Sequence, residues 1–343
     1  MAVVTILVAV VYGLPLRDPD GVFGPTYVRF PILLTIVFLA DVLPRVVVRT
    51  RAQVGLMGQT TVDVVKERWP LDHVRFALLG LGSWYLSYVA FRNLKSFVPF
   101  VNHGLDDDQF ASVDRWLFFG HDPAVVLHHL LGTGIAAHLL SGVYVAWLAF
   151  IPFTIAAALV FSRNVLGGAW FVTAMGIDWA LGVATIMAFP TVGPIYDRPS
   201  LFTDLPHTWV TSLQQTMITE RAEVLADPWA TNITQNIGAF ASLHVGMMVT
   251  VCLIAHFLGL NRILRWVLWT FLALTVVATV YLGWHYFVDS LGGFAVGAIG
   301  VWLGAKVTRT DFRALRAERM KAAAAKPTVP TPQPGPGRLD TLA

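Results

Sequence analysis

Seven stretches of the chain, at about 29 to 49, 74 to 98, 136 to 161, 166 to 189, 241 to 260, 264 to 283 and 285 to 306, are predominantly apolar. Each is close to the roughly 20 residues a helix needs to cross a bilayer. The chain has 343 residues, 56% hydrophobic and only 13% charged, far from the balance of a soluble domain. We expect an all-α, polytopic transmembrane helix bundle of about seven to eight membrane helices. The eighth candidate is the run at 2 to 16. It lacks a basic n-region and a small-residue cleavage site, so it reads as an anchor or half-buried helix rather than a removed signal. From Ala322 the chain is rich in Ala, Pro and Gly without large apolar residues, the composition of a disordered tail.

Basic residues settle which connections face which side. One set collects Arg49, Arg51, Lys66, Arg68 and Arg75, then Arg163, then Arg262 and Arg265, and finally Lys306, Arg309, Arg313, Arg316, Arg319 and Lys321. The other carries Asp18, Asp20, Asp106, Asp107, Asp108, Asp114, Asp122 and the long segment 190–240. The basic side is expected to be cytoplasmic. The expected organisation is an N-terminal anchor and outer loop over 1–28 and membrane helices over 29–165. An outer segment at 103–135 interrupts them, and its stretch FASVDRWLFFG can lie as an amphipathic surface helix. A membrane core over 166–306 and a basic, disordered cytoplasmic tail over 307–343 complete the chain.

Few ionisable groups interrupt the spans, and those that do are informative. In YLGWHYFVDSLGG, residues 281–293, His285 and Asp289 stand one helical turn apart on one face, so the carboxylate can accept a hydrogen bond from the imidazole. That fixes the tautomer and leaves the other ring nitrogen as nucleophile or base. ASLHVG at 241–246 brings His244 to the same level on another span, placed to protonate a leaving oxygen. Between them FPTVGPIYDRPSLF, residues 189–202, breaks its helix with Pro and Gly and offers Arg198 as a forked donor for phosphate. Arg92 and Lys95, one turn apart at the outer end of the 74–98 span, add positive charge. Two histidines, a carboxylate and up to three cations at headgroup level suit in-line phosphoryl transfer. Gly292 and Gly293, just beyond, permit close helix packing beneath these groups.

These residues resemble the type 2 phosphatidic acid phosphatase superfamily, and within it the branch of the fungal inositol phosphorylceramide synthases. The first family motif, a Lys with an Arg-Pro seven residues on, corresponds to Thr191 and Arg198-Pro199. The second, Ser-Gly-His, corresponds to Ser242-Leu243-His244. The third, Ser-Arg followed by His and then Asp, corresponds to Ala278-Thr279, His285 and Asp289. The threonines at 191 and 279 stand where the broader family carries cations, and SLH with TVYLGWHYFVD resembles the synthase branch. The likeness covers 166–306, and FRNLKSFVPF and DRWLFFGHDP upstream are similar to the same branch. The resemblance implies a six-helix phosphatase-like core and a phosphohistidine on His285, with Asp289 as orienter and a leaving group protonated by His244. It implies phosphate held by Arg198, Ser242, Lys95 and Arg92, with no metal and no cofactor. The implied partners are a lipid phosphate, a polyol or other alcohol acceptor, and membrane lipids. Such an enzyme belongs in the plasma membrane with its site on the extracytoplasmic side.

Other readings fit the residues less well. A lipid phosphate phosphatase shares the first half-reaction, but the lost cations lean away from it. A transporter places its ionisable groups near the midplane in matched halves, whereas here they gather at one surface. His128, His129 and His138 have no carboxylate or cysteine on one face with them, and Cys252 is the sole cysteine. A metal centre and a disulfide framework are therefore not expected. No basic stripe with interleaved aromatics suggests nucleic acid. Tyr196, Asp197 and Tyr286 read as structural. Asp178, inside a span, is expected to pair with a cation or polar group on a neighbouring helix.

Overall fold

The structure, a computed structural model, describes residues 1–21 and 25–311; most of the expected tail lies outside the described residues. Thirteen α-helices follow in chain order among the described residues. They are α1 (Ala2–Tyr12), α2 (Thr26–Thr50), α3 (Val54–Arg68), α4 (Leu71–Val101), α5 (Asp107–Leu117), α6 (Pro123–Leu131) and α7 (Ile135–Ala156, continued as a π turn to Phe161), then α8 (Val165–Ala188), α9 (Pro194–Asp197), α10 (Trp209–Ala226), α11 (Leu243–Phe257), α12 (Arg262–Tyr281) and α13 (Phe287–Val307). Six helices, α2, α4, α7 with its π turn, α8, α12 and α13, are long and apolar enough to cross a membrane. This is an integral membrane protein built as an all-α bundle.

The expected span at 241–260 is shorter than the sequence suggests: α11 has 15 residues, about 22 Å of helix. Its start is delayed because the residues before it are held as non-helical backbone. Ala239 N donates to Thr191 O at 2.9 Å, Phe240 N to Thr191 Oγ1 at 2.9 Å, and Ala241 N to Thr185 Oγ1 at 3.1 Å. It stops before Gly259, whose φ of 69° belongs to the left-handed region. The shortness is tolerated because α11 is the inner helix of the bundle: Val245 to Cys252 are all buried. Helix α1 has 11 residues, lies against α4 with Ala9 and Leu14 buried, and ends on Gly13, φ 62°.

Small residues set how tightly the bundle closes. A Cβ at Gly293 would strike Ser242 O, and one at Gly297 would strike Gly246 O, so α13 packs almost backbone to backbone on α11. One face of Gly292 lies under Phe240, whose ring carbon would stand 2.7 Å from an added Cβ. Asp178 of α8 also finds its partner in this layer. Thr250 Oγ1 of α11 donates to its Oδ2 at 2.7 Å, and the missing side chain of Gly300 leaves space for the other oxygen.

At the opposite end a second buried carboxylate gathers the basic residues. Asp41 of α2 accepts from Arg68 Nη2 at 2.9 Å, Arg68 Nε at 3.2 Å and Trp69 Nε1 at 3.2 Å, with Arg45 closing at 2.5 Å. Removing one partner of such a buried pair is costly because the other charge stays buried. The anchored piece includes α3, which the hydropathy pattern does not announce; it packs Val64 against Val42 and Val46.

Candidate active site

Helix α12 ends where Gly283 takes φ 75°. The chain then folds back, with Trp284 N and His285 N both donating to Thr279 O, at 2.9 and 3.3 Å. Helix α13 begins two residues later, and Asp289 in its first turn accepts from Tyr286 N at 3.0 Å, the back-bond of an N-terminal cap. The same Oδ2 stands 3.2 Å from His285 Nδ1. The carboxylate therefore both caps the helix and orients the imidazole; the one-turn spacing does two jobs. His285 is 5% exposed and Asp289 fully buried.

His244, in the first turn of α11, brings its Nδ1 to 2.9 Å from His285 Nε2. Hydrogen-bond logic then assigns the protons. With His285 Nδ1–H donating to Asp289, Nε2 is the acceptor and His244 Nδ1–H the donor. The result is one line, Asp289, His285, His244, in which Nε2 of His285 is covered by the proton of His244. His244 is steadied by Trp147, whose Nε1 donates to His244 O at 3.1 Å and whose ring lies 4.4 Å away. Tyr144 flanks it at 5.2 Å and stacks on Trp284 at 5.1 Å.

The remaining sequence-named residues fall in three different settings. Ser242 donates its N–H to Asp289 O at 3.0 Å, and its buried hydroxyl has no protein partner. Lys95 is half-buried on α4, its charge bearing on both imidazoles, and Gln235 holds its backbone through a 2.7 Å bond to Lys95 O. Arg92 turns toward Tyr88 at 2.6 Å and Thr234 at 3.3 Å. Arg198 lines a small cavity with His285, and its fork is taken up by carboxylates: Asp197 at 3.1 Å, Asp108 at 3.0 Å and Asp122 at 3.8 Å. Burial pulls its pKa down, but Asp197 and Asp108 outweigh it and hold Arg198 above its ordinary value. Thr191 and Thr279 are both tied to backbone by their hydroxyls. Thr191 Oγ1 receives Phe240 N, and Thr279 Oγ1 bonds Thr275 O within α12 at 2.9 Å.

Sequence reasoning missed the inward face of α5. Asp107 and Asp114 are seven residues apart, two turns on one face, and both are 2% exposed. Asp107 accepts from Val192 N at 3.0 Å and Gly193 N at 2.9 Å. The Tyr286 hydroxyl lies between Asp107 at 3.0 Å and Asp197 at 3.1 Å, donating to one at a time. Asp114 caps α13, accepting from Phe287 N at 2.6 Å and Val288 N at 2.9 Å. Burial, only partly offset by these bonds, pushes its pKa up to about 6. One helix thus clamps the loop that bears Arg198 and the turn that bears His285. The signal is the i, i+7 spacing, which puts both carboxylates on one face of a helix. Among the described residues no group of three or more His, Cys, Asp or Glu is arranged to hold a metal.

The fold and the paired histidines define a membrane protein with a buried Asp289, His285, His244 cluster. A family model described as PAP2 superfamily matches residues 108–303, more than half of the chain, and the protein belongs to that superfamily. Its members are generally phosphatases or phosphotransferases, and membership suggests activity on lipid phosphates. The match starts in α5 and ends in α13, so it contains Asp114, Arg198, Ser242, His244, His285 and Asp289, while Arg92, Lys95 and Asp107 precede it. No curated protein and no solved structure matches the chain.

Proposed function

We propose that the protein transfers a phosphoryl or phospho-polyol group from a lipid phosphate to an alcohol, through a phosphohistidine on His285 at the extracytoplasmic face of the plasma membrane. The observation that carries this reading is the Asp289, His285, His244 line, with 3.2 and 2.9 Å separations. A monoanionic phosphomonoester entering between the rings gives its proton to His244, making an imidazolium; with a diester donor, which has no such proton, His244 takes it from water. His285 Nε2 then attacks phosphorus, the bond to the leaving oxygen breaks, and His244 returns the proton to that oxygen. Asp289 holds the Nδ1–H throughout and stabilises the charge on the phosphorylated ring. In the second half His244 takes the proton of the acceptor hydroxyl as its oxygen displaces His285 from phosphorus. Lys95, Arg198 and the Ser242 hydroxyl are the groups we assign to the phosphate oxygens, with Arg92 adding charge behind Lys95.

Transfer rather than hydrolysis is favoured by the resemblance to the inositol phosphorylceramide synthase branch and by Thr191 and Thr279, which stitch backbone where the wider family has cations. The extracytoplasmic placement rests on the basic residues at the Asp41 end and the acidic connections at the histidine end. Product analysis with labelled lipid phosphate, with and without polyols, tests the reading. A labelled polyol product that forms with the wild type and not with His285→Ala is expected. Free phosphate as the sole product at every polyol concentration would replace transfer by hydrolysis.

A further inference from the structure

A cavity of about 200 Å³ is distinct from the Arg198 cavity and shares no lining residue with it. It is bounded by Val98, Ile186, Thr191, Arg221, Leu225 and Gly238. Two of its walls belong to segments that carry the site: Thr191 leads to Arg198, and Gly238 leads to Ser242 and His244. Gly238 also packs against Lys95, whose Cε would stand 3.1 Å from a Cβ there. The next residue, Ala239, meets His285 through its backbone.

Arg221 is the charged group on this wall, and it is held unlike Arg198. Its Nη1 donates to Gln235 Oε1 at 3.3 Å, and among the described residues no carboxylate lies within ion-pair distance of it. Gln235 is fully buried and already bonded to Lys95 O, Ser96 Oγ and Ile237 N, so the guanidinium is aimed by a fixed neutral amide. Asp107 acts on it from beyond bonding distance, and both oxygens of Asp107 are engaged by Val192, Gly193 and Tyr286. A half-buried guanidinium facing a cavity without a counter-ion is unfavourable until an anion completes its fork.

We propose that this cavity is an oxyanion subsite, separate from the reaction centre, that takes a phosphate group of the second substrate or a second phosphate of the lipid donor, with Arg221 as its anchor. The proposal rests on the phosphotransfer reading for the role of the anion, but its test needs no turnover. Binding of sn-glycerol 3-phosphate, and of glycerol as the neutral control, is measured by calorimetry on the whole protein in phosphatidylcholine nanodiscs.

Glycerol 3-phosphate is expected to bind and glycerol not. Arg221→Gln and the cavity-filling Leu225→Trp each weaken binding at least tenfold, Arg221→Lys recovers part of the loss, and Arg198→Gln changes it less than threefold. Doping the discs with a diphosphorylated lipid separates the sources: displacement by it and not by phosphatidic acid identifies the lipid's second phosphate, and retention identifies a soluble acceptor. No binding by the wild type, unchanged binding in Arg221→Gln and Leu225→Trp, or a loss in Arg198→Gln equal to that in Arg221→Gln overturns the proposal. The last of these puts the anion at the histidines. If instead His285→Ala leaves lipid phosphate turnover intact while the binding pattern holds, the catalytic reading fails and the subsite stands.

Discussion

Arg198 and Arg221 each line a cavity, and their partners differ completely. Arg198 is surrounded by Asp108, Asp122 and Asp197, whereas Arg221 is bonded to an amide alone. The first is a cation already balanced, which neutralises and orders the acidic mouth of the His285 cavity. The second has unused charge. The lesson is that a motif position identifies a residue type, while its partners decide what that charge can still do.

The largest expected effect on this comparison comes from Arg198→Gln, which leaves Asp108 and Asp197 without their cation while Asp122 keeps Arg115 at 3.5 Å. It should lower kcat/KM for a lipid phosphate by roughly 10- to 100-fold. Adding Asp108→Asn should restore part of the loss in a double-mutant cycle; a double variant no better than the single would show that Arg198 acts by direct phosphate contact alone.

Smaller effects are expected from the α5 clamp, which supports the Arg198 side and has no counterpart on the Arg221 side. Asp114→Ala removes a cap that receives two N–H groups, at a cost of about 1–2 kcal/mol, readable as a lower thermal midpoint in detergent. A midpoint equal to wild type would mean the cap is not needed to hold α13.

The smallest effect is a pH dependence. The folded pKa of Asp114, about 6, lies above its ordinary value of 3.8. Its protonated form therefore favours the fold below the ordinary value, and that contribution is lost as pH rises through about 6. The thermal midpoint of the wild type should fall across this window more than that of Asp114→Asn; equal slopes would assign the dependence to another group.

Hydropathy made the bundle legible because spans are long and lipid leaves few alternatives, and the paired motifs put His244 and His285 at one level. Their direct contact at 2.9 Å was not legible, because spacing gives a helix face and a depth but no distance between helices. Helix α11 was read too long because the apolar residues before Leu243 look like span although Thr185 and Thr191 hold them as loop. Asp178 showed itself as an anomaly, but Thr250 is an ordinary residue in an apolar run. Periodicity put Asp107 and Asp114 on one face without saying which way that face turns. Arg221 was one charge among many in a long connection, and only the carboxylates it lacks set it apart.

The central claim is the covalent intermediate on His285. Purified protein mixed briefly with lipid labelled in its phosphate, quenched in base and digested, should yield one acid-labile, base-stable labelled peptide containing His285. His285→Ala should yield none, and His244→Ala should accumulate label when the donor has a good leaving group. Label that persists in His285→Ala, or its absence from the wild type during turnover, would contradict the account.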